Sequence, residues 1–280
     1  MKKILALLST AVLLFAACDK IEPADDGTYT LFAGISATWT DGEAVPAEQC
    51  ALVEKFTGPR CPNCPAADVT LDAVHNTLGE KLVMISVNHP VGQGTPYPGD
   101  PDMRTDDGTA WDTYYGVNAI PAAFINRDKD HQYTGSMENI ASDLQAAVDA
   151  TPVLGLAVTA DSSSDGSTID ITVALQFHQA YSQPLTLTLA LVEDSLSYRQ
   201  SNGSEVVEGY LHNHMLRDVL TDVWGAEVEA TGAANECRKA TFGTYRLKDS
   251  NIRLHNCHLV AFVSERSSKK VLNVTSCHVN

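Results

Sequence analysis

The sequence has few positive charges and few long apolar runs. Of its 280 residues, 19 are Lys or Arg and 35 are Asp or Glu, so the formal net charge at pH 7 is −16. Such an excess of negative charge is poorly suited to nucleic acid, and we expect no nucleic-acid partner. After residue 17 no run is apolar for long enough to span a bilayer. Motifs of nucleotide, flavin and haem sites are absent as well, so the sequence predicts no cofactor.

The long apolar run that does occur lies at the N-terminus. Residues 1–17 contain Lys2 and Lys3 followed by an apolar stretch that is too short to cross a membrane, which is typical of a secretion signal. The residues just before Cys18 are similar to a bacterial lipobox, although Phe15 is an imperfect match. We therefore expect Cys18 to become a lipidated N-terminus that anchors the protein to the membrane. Simple secretion, with Cys18 removed or left free, is the alternative.

Seven cysteines in an exported protein indicate an oxidising compartment. Six remain if the first is lipidated, and an even number allows full pairing. A hairpin centred on Ser267 would place Cys257 opposite Cys277, which predicts a cross-strand disulfide. Cys50 and Cys237 are then assigned to each other by elimination.

Composition divides the chain after the signal into a tether and two domains. Residues 18–45 are predicted to be an acidic tether between lipid and fold, although the partial alternation of residues 29–39 also allows an added strand there. Residues 46–150 contain alternating strands and helices, whereas residues 151–280 contain β-rich runs separated by polar turns. The predicted fold class is therefore α+β, with an α/β domain followed by an antiparallel, immunoglobulin-like β-sandwich.

The α/β domain begins with a βαβ unit. The strand Ala51–Phe56, a helical pattern over residues 62–78 and the apolar strand Lys81–Val87 predict a right-handed crossover between two parallel strands. Residues 91–108 form a loop rich in Pro, Gly and Asp, whose spacing does not match an EF-hand, so a solvated loop is favoured over a calcium site.

The second domain is predicted from five β-rich runs and one ambiguous segment. Residues 209–224 fit either a helix or a strand with a loop. The β-rich runs are residues 154–159, 168–177, 185–193, 258–263 and 271–277.

The sequence C-x-x-C between the first strand and the first helix is the arrangement that dithiol redox chemistry needs. Cys61 is expected at or just before the helix N-terminus, where the helix dipole and the neighbouring Arg60 favour a thiolate. Pro62 suits the first helical position. Cys61 is therefore assigned as the exposed nucleophile and Cys64 as the resolving thiol.

A second part of the site is predicted at Ile120-Pro121, near the start of a later strand. A cis bond at this position would turn the preceding backbone groups outward to pair with an extended substrate chain. Ile120 and Arg60 are therefore assigned to substrate binding, and Pro121 to the catalytic site.

Residues 48–150 resemble the thioredoxin-like superfamily in Phe56, Cys61-Pro62-Asn63-Cys64 and Ile120-Pro121. The segment EKFTGPRCPNCP, the lipobox and the β-rich second half are similar to the Omp28-related outer-membrane lipoproteins of Bacteroidota. The first resemblance implies the cysteine roles given above and a cis bond before Pro121. The second implies an outer-membrane lipoprotein that faces either the periplasm or the cell exterior, with a role in adhesion or receptor binding.

Three residues depart from the thioredoxin-like pattern. Arg60 stands where an aromatic residue usually precedes the first cysteine, which changes the contact with substrate. Lys55 stands where a buried acid often assists proton transfer, with Glu54 beside it. Pro65 follows the second cysteine and removes one early helical donor.

A metal site is not predicted. Zinc would need two ligands beyond Cys61 and Cys64, and no second C-x-x-C occurs. His212 and His214 would lie on one face of a strand, but an isolated pair of this kind is more often part of ordinary packing.

Two functions are therefore open. The first is thiol–disulfide exchange on exported proteins, with the sandwich serving for docking. The second is a non-catalytic surface protein that binds a host or polymer ligand and keeps Cys61–Cys64 as a structural disulfide.

Overall fold

The structure of the protein is a computed structural model that describes residues 20–23, 29–32, 34–249 and 251–280. The predicted signal peptide and the lipidation site Cys18 lie outside the described residues. Two strands before residue 34, β1 (Lys20–Pro23) and β2 (Tyr29–Phe32), pair with each other in antiparallel fashion. Residues 34–280 form a separate compact unit.

The unit from residue 34 onward has three α-helices and fifteen strands among its described residues. The helices are α1 (Cys64–Leu78), α2 (Asp106–Tyr115) and α3 (Ile140–Val148). The strands are β3 (Ala37–Asp41), β4 (Ala51–Thr57), β5 (Leu82–Asn88), β6 (Ala122–Ile125), β7 (Tyr133–Thr134), β8 (Leu154–Ser162), β9 (Thr168–Phe177), β10 (Leu185–Glu193), β11 (Leu196–Asn202), β12 (Glu205–His212), β13 (Met215–Val219), β14 (Ala226–Glu227), β15 (Cys237–Arg246), β16 (Cys257–Glu265) and β17 (Val271–His278).

The predicted βαβ unit is confirmed, because β4 and β5 pair in parallel and α1 connects them. The helix begins at Cys64, two residues later than predicted, and Pro62 lies in the turn before it. Pro65 occupies the early helical position that the sequence assigned to Pro62. This position needs no backbone N–H, which is why a proline fits there.

A nine-stranded sheet joins the two predicted domains. Its strand order is β17-β16-β10-β13-β5-β4-β6-β7, and β14 pairs with β10. The joint is the parallel pairing of β13 with β5, where Met215 lies beside Ser86. The predicted boundary at residues 150 and 151 therefore does not divide this sheet.

A second sheet packs on one side of the first. It has four antiparallel strands in the order β3-β15-β9-β8. Alternate residues of β10, such as Leu187 and Leu189, join its core, while Ala190 and Val192 face the opposite side, on which α2 lies. The helices and sheets together fit the predicted α+β class, and one of the two packed sheets continues from the second half into the first half.

The predicted tether is shorter than the sequence indicated. Residues 37–41 form the edge strand β3, which pairs with β15. Ile35 and Trp39 pack against the core of the four-stranded sheet, and the Ile35 N–H donates to the Leu220 carbonyl at 2.9 Å. These apolar contacts hold the segment in place, so the tether does not extend to residue 45.

Across the described ranges of the chain, none of the helices combines the length and apolar character needed to cross a membrane.

Candidate functional site

The C-x-x-C pair lies in the turn between β4 and α1. Cys61 and Cys64 form a disulfide with their Cα atoms 5.4 Å apart. The turn is closed by two backbone hydrogen bonds: the Cys61 N–H donates to the Gly58 carbonyl at 3.0 Å, and the Cys64 N–H donates to the Cys61 carbonyl at 3.4 Å. Cys64 is the first residue of α1, so a thiolate released at Cys64 would lie at the positive end of the helix dipole.

The Ile120–Pro121 bond lies at the same edge of the sheet. It is cis, as the resemblance implies. The next residue, Ala122, begins β6 and is paired with Phe56 near the end of β4. Pro121 is buried and Ile120 is half-buried. The sheet therefore brings the start of β6 beside the strand end from which the C-x-x-C turn departs.

The predicted exposure of Cys61 is wrong, because both cysteines have 0% of their surface exposed. The hairpin of β11 and β12 lies over the turn that carries them. The Gln200 side-chain amide donates to the Cys61 carbonyl at 2.9 Å and to the Gly58 carbonyl at 3.2 Å. This hairpin was not predicted, although Gly203-Ser204 between two β-prone runs is a recognised turn signal.

The loop of residues 91–108 packs beside the C-x-x-C turn. Gly58 permits this contact, because a Cβ atom on Gly58 would lie 2.4 Å from the Gln93 carbonyl oxygen. The Arg60 N–H donates to the same carbonyl at 3.0 Å, and the Arg60 guanidinium donates to the Pro96 carbonyl at 2.7 Å. Arg60 is exposed, and its charge lies 4.9 Å from the centre of the Tyr97 ring.

Two of the four aspartates of this loop pair with arginines. Asp100 binds the side chain of Arg199 on β11 at 3.0 Å, and Asp102 binds Arg104 at 2.6 Å. The hydrogen bond from Arg199 lowers the pKa of Asp100, and the hydrogen bond from Arg104 lowers the pKa of Asp102. Nowhere in the described part of the chain do three or more His, Cys, Asp or Glu side chains form a group that could hold a metal ion.

A small cavity of about 50 Å³, lined by both polar and apolar side chains, lies between α1 and the end of β12. Lys55 forms an ion pair with Asp68 of α1, and Tyr210 donates a hydrogen bond to the same carboxylate at 2.8 Å. His212 also lines the cavity, with its ring stacked on Tyr198 at a centroid distance of 3.8 Å. Lys55 therefore does not stand in for a buried acid but pairs with a half-buried one, Asp68, that comes from the helix.

Burial lowers the pKa values of His212 and His214 to about 4, so both rings are neutral at pH 7. His214 has a positive φ of 58° and lies after the end of β12, within 3.4 Å of the Asp194 carboxylate. The two histidines therefore do not share one face of a strand.

Glu54 lies on the opposite face of β4 from Lys55. It is fully buried and binds Arg127, whose guanidinium nitrogen is 2.8 Å from a carboxylate oxygen. Tyr115 donates its hydroxyl to the same carboxylate. The charge of Glu54 is thus neutralised by a buried partner on the side of the sheet away from α1.

The other four cysteines among the described residues are free thiols, and neither predicted pair is bonded. In the β16–β17 hairpin Cys277 lies opposite Leu259 instead of Cys257, because the turn and a register shift between Val263 and Ser264 together move the pairing by two residues. Cys237 begins β15 in the four-stranded sheet, whereas Cys50 packs against the core between the large sheet and α2. Burial raises the pKa of the thiols of Cys50 and Cys277 to about 11.

Comparisons with known proteins give one family and one shared fold. The model of the family described as outer membrane protein Omp28 matches residues 108–280, which is more than half of the chain and begins after the C-x-x-C pair. HBP35 of Porphyromonas gingivalis has 18% sequence identity, with 84% of this chain and 77% of that chain covered, at a TM-score of 0.66. At this identity the likeness shows the fold alone.

A domain of the outer membrane lipoprotein Omp28 from Porphyromonas gingivalis is also similar, with 19% identity, 46% of this chain and 89% of that chain covered, and a TM-score of 0.32. No curated protein matches the chain.

Proposed function

The chain belongs to the Omp28 family of outer-membrane proteins, and we propose that it exchanges thiols and disulfides with polypeptides of the cell envelope. Its location, as an outer-membrane lipoprotein, follows from that membership. Both faces of the membrane are compatible with the proposed activity, since both lie outside the reducing cytoplasm.

The observation that supports the proposal best is the position of the disulfide in the sheet. A C-x-x-C disulfide at the start of a helix that follows a central strand, with a proline directly before the adjacent strand, is the arrangement expected of a thioredoxin-like domain. A structural crosslink does not need this placement. It also gains little from it, because closing a loop of so few residues stabilises a fold by only about 2 kcal/mol.

In the reaction that we propose, a substrate dithiol is oxidised to a disulfide and the Cys61–Cys64 disulfide is reduced to two thiols. A substrate thiolate attacks the Cys61 sulfur, the Cys61–Cys64 bond breaks, and its electron pair leaves on Cys64 as a thiolate at the helix N-terminus. A second substrate thiolate then attacks the substrate sulfur in the mixed disulfide and releases Cys61 as a thiolate. The substrate leaves with a disulfide, and the two cysteines take up protons. The reverse sequence would reduce a substrate disulfide.

A trapping variant tests the proposal. Replacement of Cys64 with alanine leaves Cys61 without its resolving partner, so mixed disulfides with substrates should accumulate in the native envelope after acid quenching and alkylation. The adducts should disappear on reduction and be absent from the Cys61→Ala control. Absence of adducts, together with failure of the purified protein to oxidise or reduce a model dithiol peptide, would contradict the proposal.

A second function, ligand binding without catalysis, is supported by the burial of the pair. Both sulfurs are covered, and the family match begins beyond them. On this alternative, cells with the double variant Cys61→Ser, Cys64→Ser would show the same envelope phenotype as cells with the native protein. The variant itself would lose only about 2 kcal/mol of stability. Loss of that phenotype in a folded double variant would instead favour exchange chemistry.

A further inference from the structure

The β11–β12 hairpin is held on the C-x-x-C turn by backbone hydrogen bonds. It belongs to neither of the larger sheets and occurs in the chain between β10 and β13. At its tip the Ser201 N–H donates to the Pro59 carbonyl at 2.7 Å, and the Gly203 N–H donates to the Pro62 carbonyl at 2.9 Å. The two carbonyl acceptors flank Cys61 on either side in sequence.

The side chain of Gln200 completes this cover. Gln200 is 2% exposed, and its amide bonds the carbonyls of Gly58 and Cys61. A thiolate must approach a disulfide sulfur directly in order to attack it. Since neither Cys61 nor Cys64 has any exposed surface, the structure is a closed state in which exchange with a polypeptide is blocked.

Charged and polar contacts fasten the hairpin on both sides. On one side Arg199 binds Asp100 through two guanidinium nitrogens at 3.0 and 3.1 Å, and the Ser201 hydroxyl bonds the Tyr97 hydroxyl at 2.7 Å. On the other side the Tyr210 hydroxyl bonds Asp68 of α1. Arg199 sits where the pairing of the two strands shifts, so its side chain is free to reach the loop of residues 91–108.

The hydrogen bonds that hold the hairpin tip are of the same kind as those that a bound extended peptide forms with a protein. Main-chain N–H groups donate to main-chain carbonyls, and such bonds are independent of peptide sequence. Resting on the proposed function, we propose that the carbonyls of Pro59 and Pro62 bind the backbone of an extended polypeptide substrate, and that the β11–β12 hairpin occupies this surface as a built-in competitor. The substrate class is therefore unfolded or extended polypeptide, and the hairpin must swing away before Cys61 can react.

Competition by the hairpin has a measurable consequence. If the open state is a minor fraction of the molecules, the apparent affinity for substrate falls by that fraction. Charge reversal at Arg199 places a second negative charge against Asp100 and should raise the open fraction. Loss of a charge-assisted hydrogen bond typically changes an equilibrium constant, here that between the closed and open hairpin, by about tenfold or more.

The test measures how fast dithiothreitol reduces the Cys61–Cys64 disulfide in the purified full chain, with thiols counted by alkylation and mass spectrometry. We expect Arg199→Glu to be reduced about tenfold faster than the native protein. The matched control is Arg238→Glu, which reverses the charge of an arginine paired with the fully exposed Asp41 on the four-stranded sheet and should leave the rate unchanged. Equal rates in all three proteins would overturn the proposal.

A second measurement keeps the test valid if Arg199→Glu does not fold. In the native protein the reduction rate should reach a plateau as dithiothreitol is increased, because opening of the hairpin becomes limiting. A rate that stays proportional to dithiothreitol concentration and equals that of an exposed disulfide would overturn the proposal that the hairpin blocks access to the disulfide.

The substrate class is tested with a peptide of the hairpin tip, residues 198–205, added to Arg199→Glu. The peptide should slow reduction of the opened variant, whereas a peptide of the same length in which proline replaces Ser201 and Gly203 should not, because proline lacks the N–H donor. Equal protection by both peptides would contradict the assigned backbone contacts. If Arg199→Glu is reduced faster but no partners are trapped at Cys61, the hairpin does block the disulfide. The proposal of thiol–disulfide exchange would then be wrong.

Discussion

The buried ion pair of Glu54 and Arg127 shows how one substitution can affect the whole fold. Glu54 is fully buried, and its carboxylate accepts bonds from Arg127 and Tyr115. The Arg127 guanidinium lies 4.6 Å from the ring centres of both Trp111 and Phe262. A charge in these surroundings is tolerated only while its partner is present.

Replacement of Glu54 with glutamine should therefore lower the free energy of unfolding by about 3–5 kcal/mol, because Arg127 keeps its buried charge without a counter-ion. Urea denaturation at pH 7 measures this loss. The control is Arg238→Ala, which removes an ion pair whose acid is exposed and should change stability by less than about 1 kcal/mol. A similar small change for both variants would show that water reaches Arg127.

His212 should make stability depend on pH. Burial lowers its pKa from the ordinary 6.5 to about 4, with Lys55 lowering it further and Asp68 opposing the shift. Between pH 6.5 and 4 the His212 side chain is therefore protonated in the unfolded chain but not in the folded protein. Stability should fall as the pH drops from 6.5 to 4, by up to about 1.4 kcal/mol per pH unit from this residue, and the loss should level off below pH 4.

Comparison of variants isolates this contribution, because His214 titrates in the same range. Urea denaturation of His212→Gln should give a shallower fall in unfolding free energy between pH 6.5 and 4 than the native protein. His131→Gln, which replaces an exposed histidine, is the control variant. Identical slopes for His212→Gln and the native protein would mean that His212 is hydrated in the folded state.

At the scale of elements, β3 is held by the rest of the protein more firmly than its sequence indicates. A chain that begins at residue 46 lacks β3 together with the half-buried Ile35 and Trp39. We expect this chain to be roughly 2–4 kcal/mol less stable than one that begins at residue 34, given the usual cost of removing partly buried large side chains. Equal melting temperatures of the two chains would show that β3 contributes nothing and that the predicted tether is correct.

Elements specified by local patterns were predicted well, and those specified by distant partners were not. The strand Ala51–Phe56, the helix after the C-x-x-C pair and the runs at residues 168–177 and 185–193 all have continuous patterns that indicate their type. β3 and β13 are short and gain their strand conformation from pairing with β15 and with β10 and β5. Local propensity contains no information about such partners, which is why residues 209–224 were ambiguous.

The same limit applies to the candidate site. Cys61, Cys64 and Pro121 could be assigned from sequence because their spacing and order are informative. Their burial could not, because Gln200 reaches the carbonyls of Gly58 and Cys61 from more than 130 residues away in the chain. Arg199 binds Asp100 in the neighbouring loop from 99 residues away. Contacts at such separation depend on how β10 and β13 are placed in the sheet.

At the scale of the whole molecule, the continuous sheet makes the two halves of residues 34–280 one cooperative unit. Val87 and Trp111 from the first half share a core with Val219 and Phe262 from the second half. The rings of Trp111 and Phe262 are in edge-to-face contact with centroids 6.4 Å apart. Separation at residue 151 would expose this core and leave one edge of β5 without its partner β13.

Cooperativity across the sheet can be tested by a substitution in one half and a measurement in the other. Phe262→Ala removes a fully buried ring from β16 and should lower the global free energy of unfolding by about 3–5 kcal/mol. Native-state hydrogen exchange should then show the most protected amides of β4 and β5 losing as much free energy as those of β16, because all of them exchange through the same unfolding event. Two independent domains would behave differently, with the amides of β16 losing protection while those of β4 and β5 kept theirs.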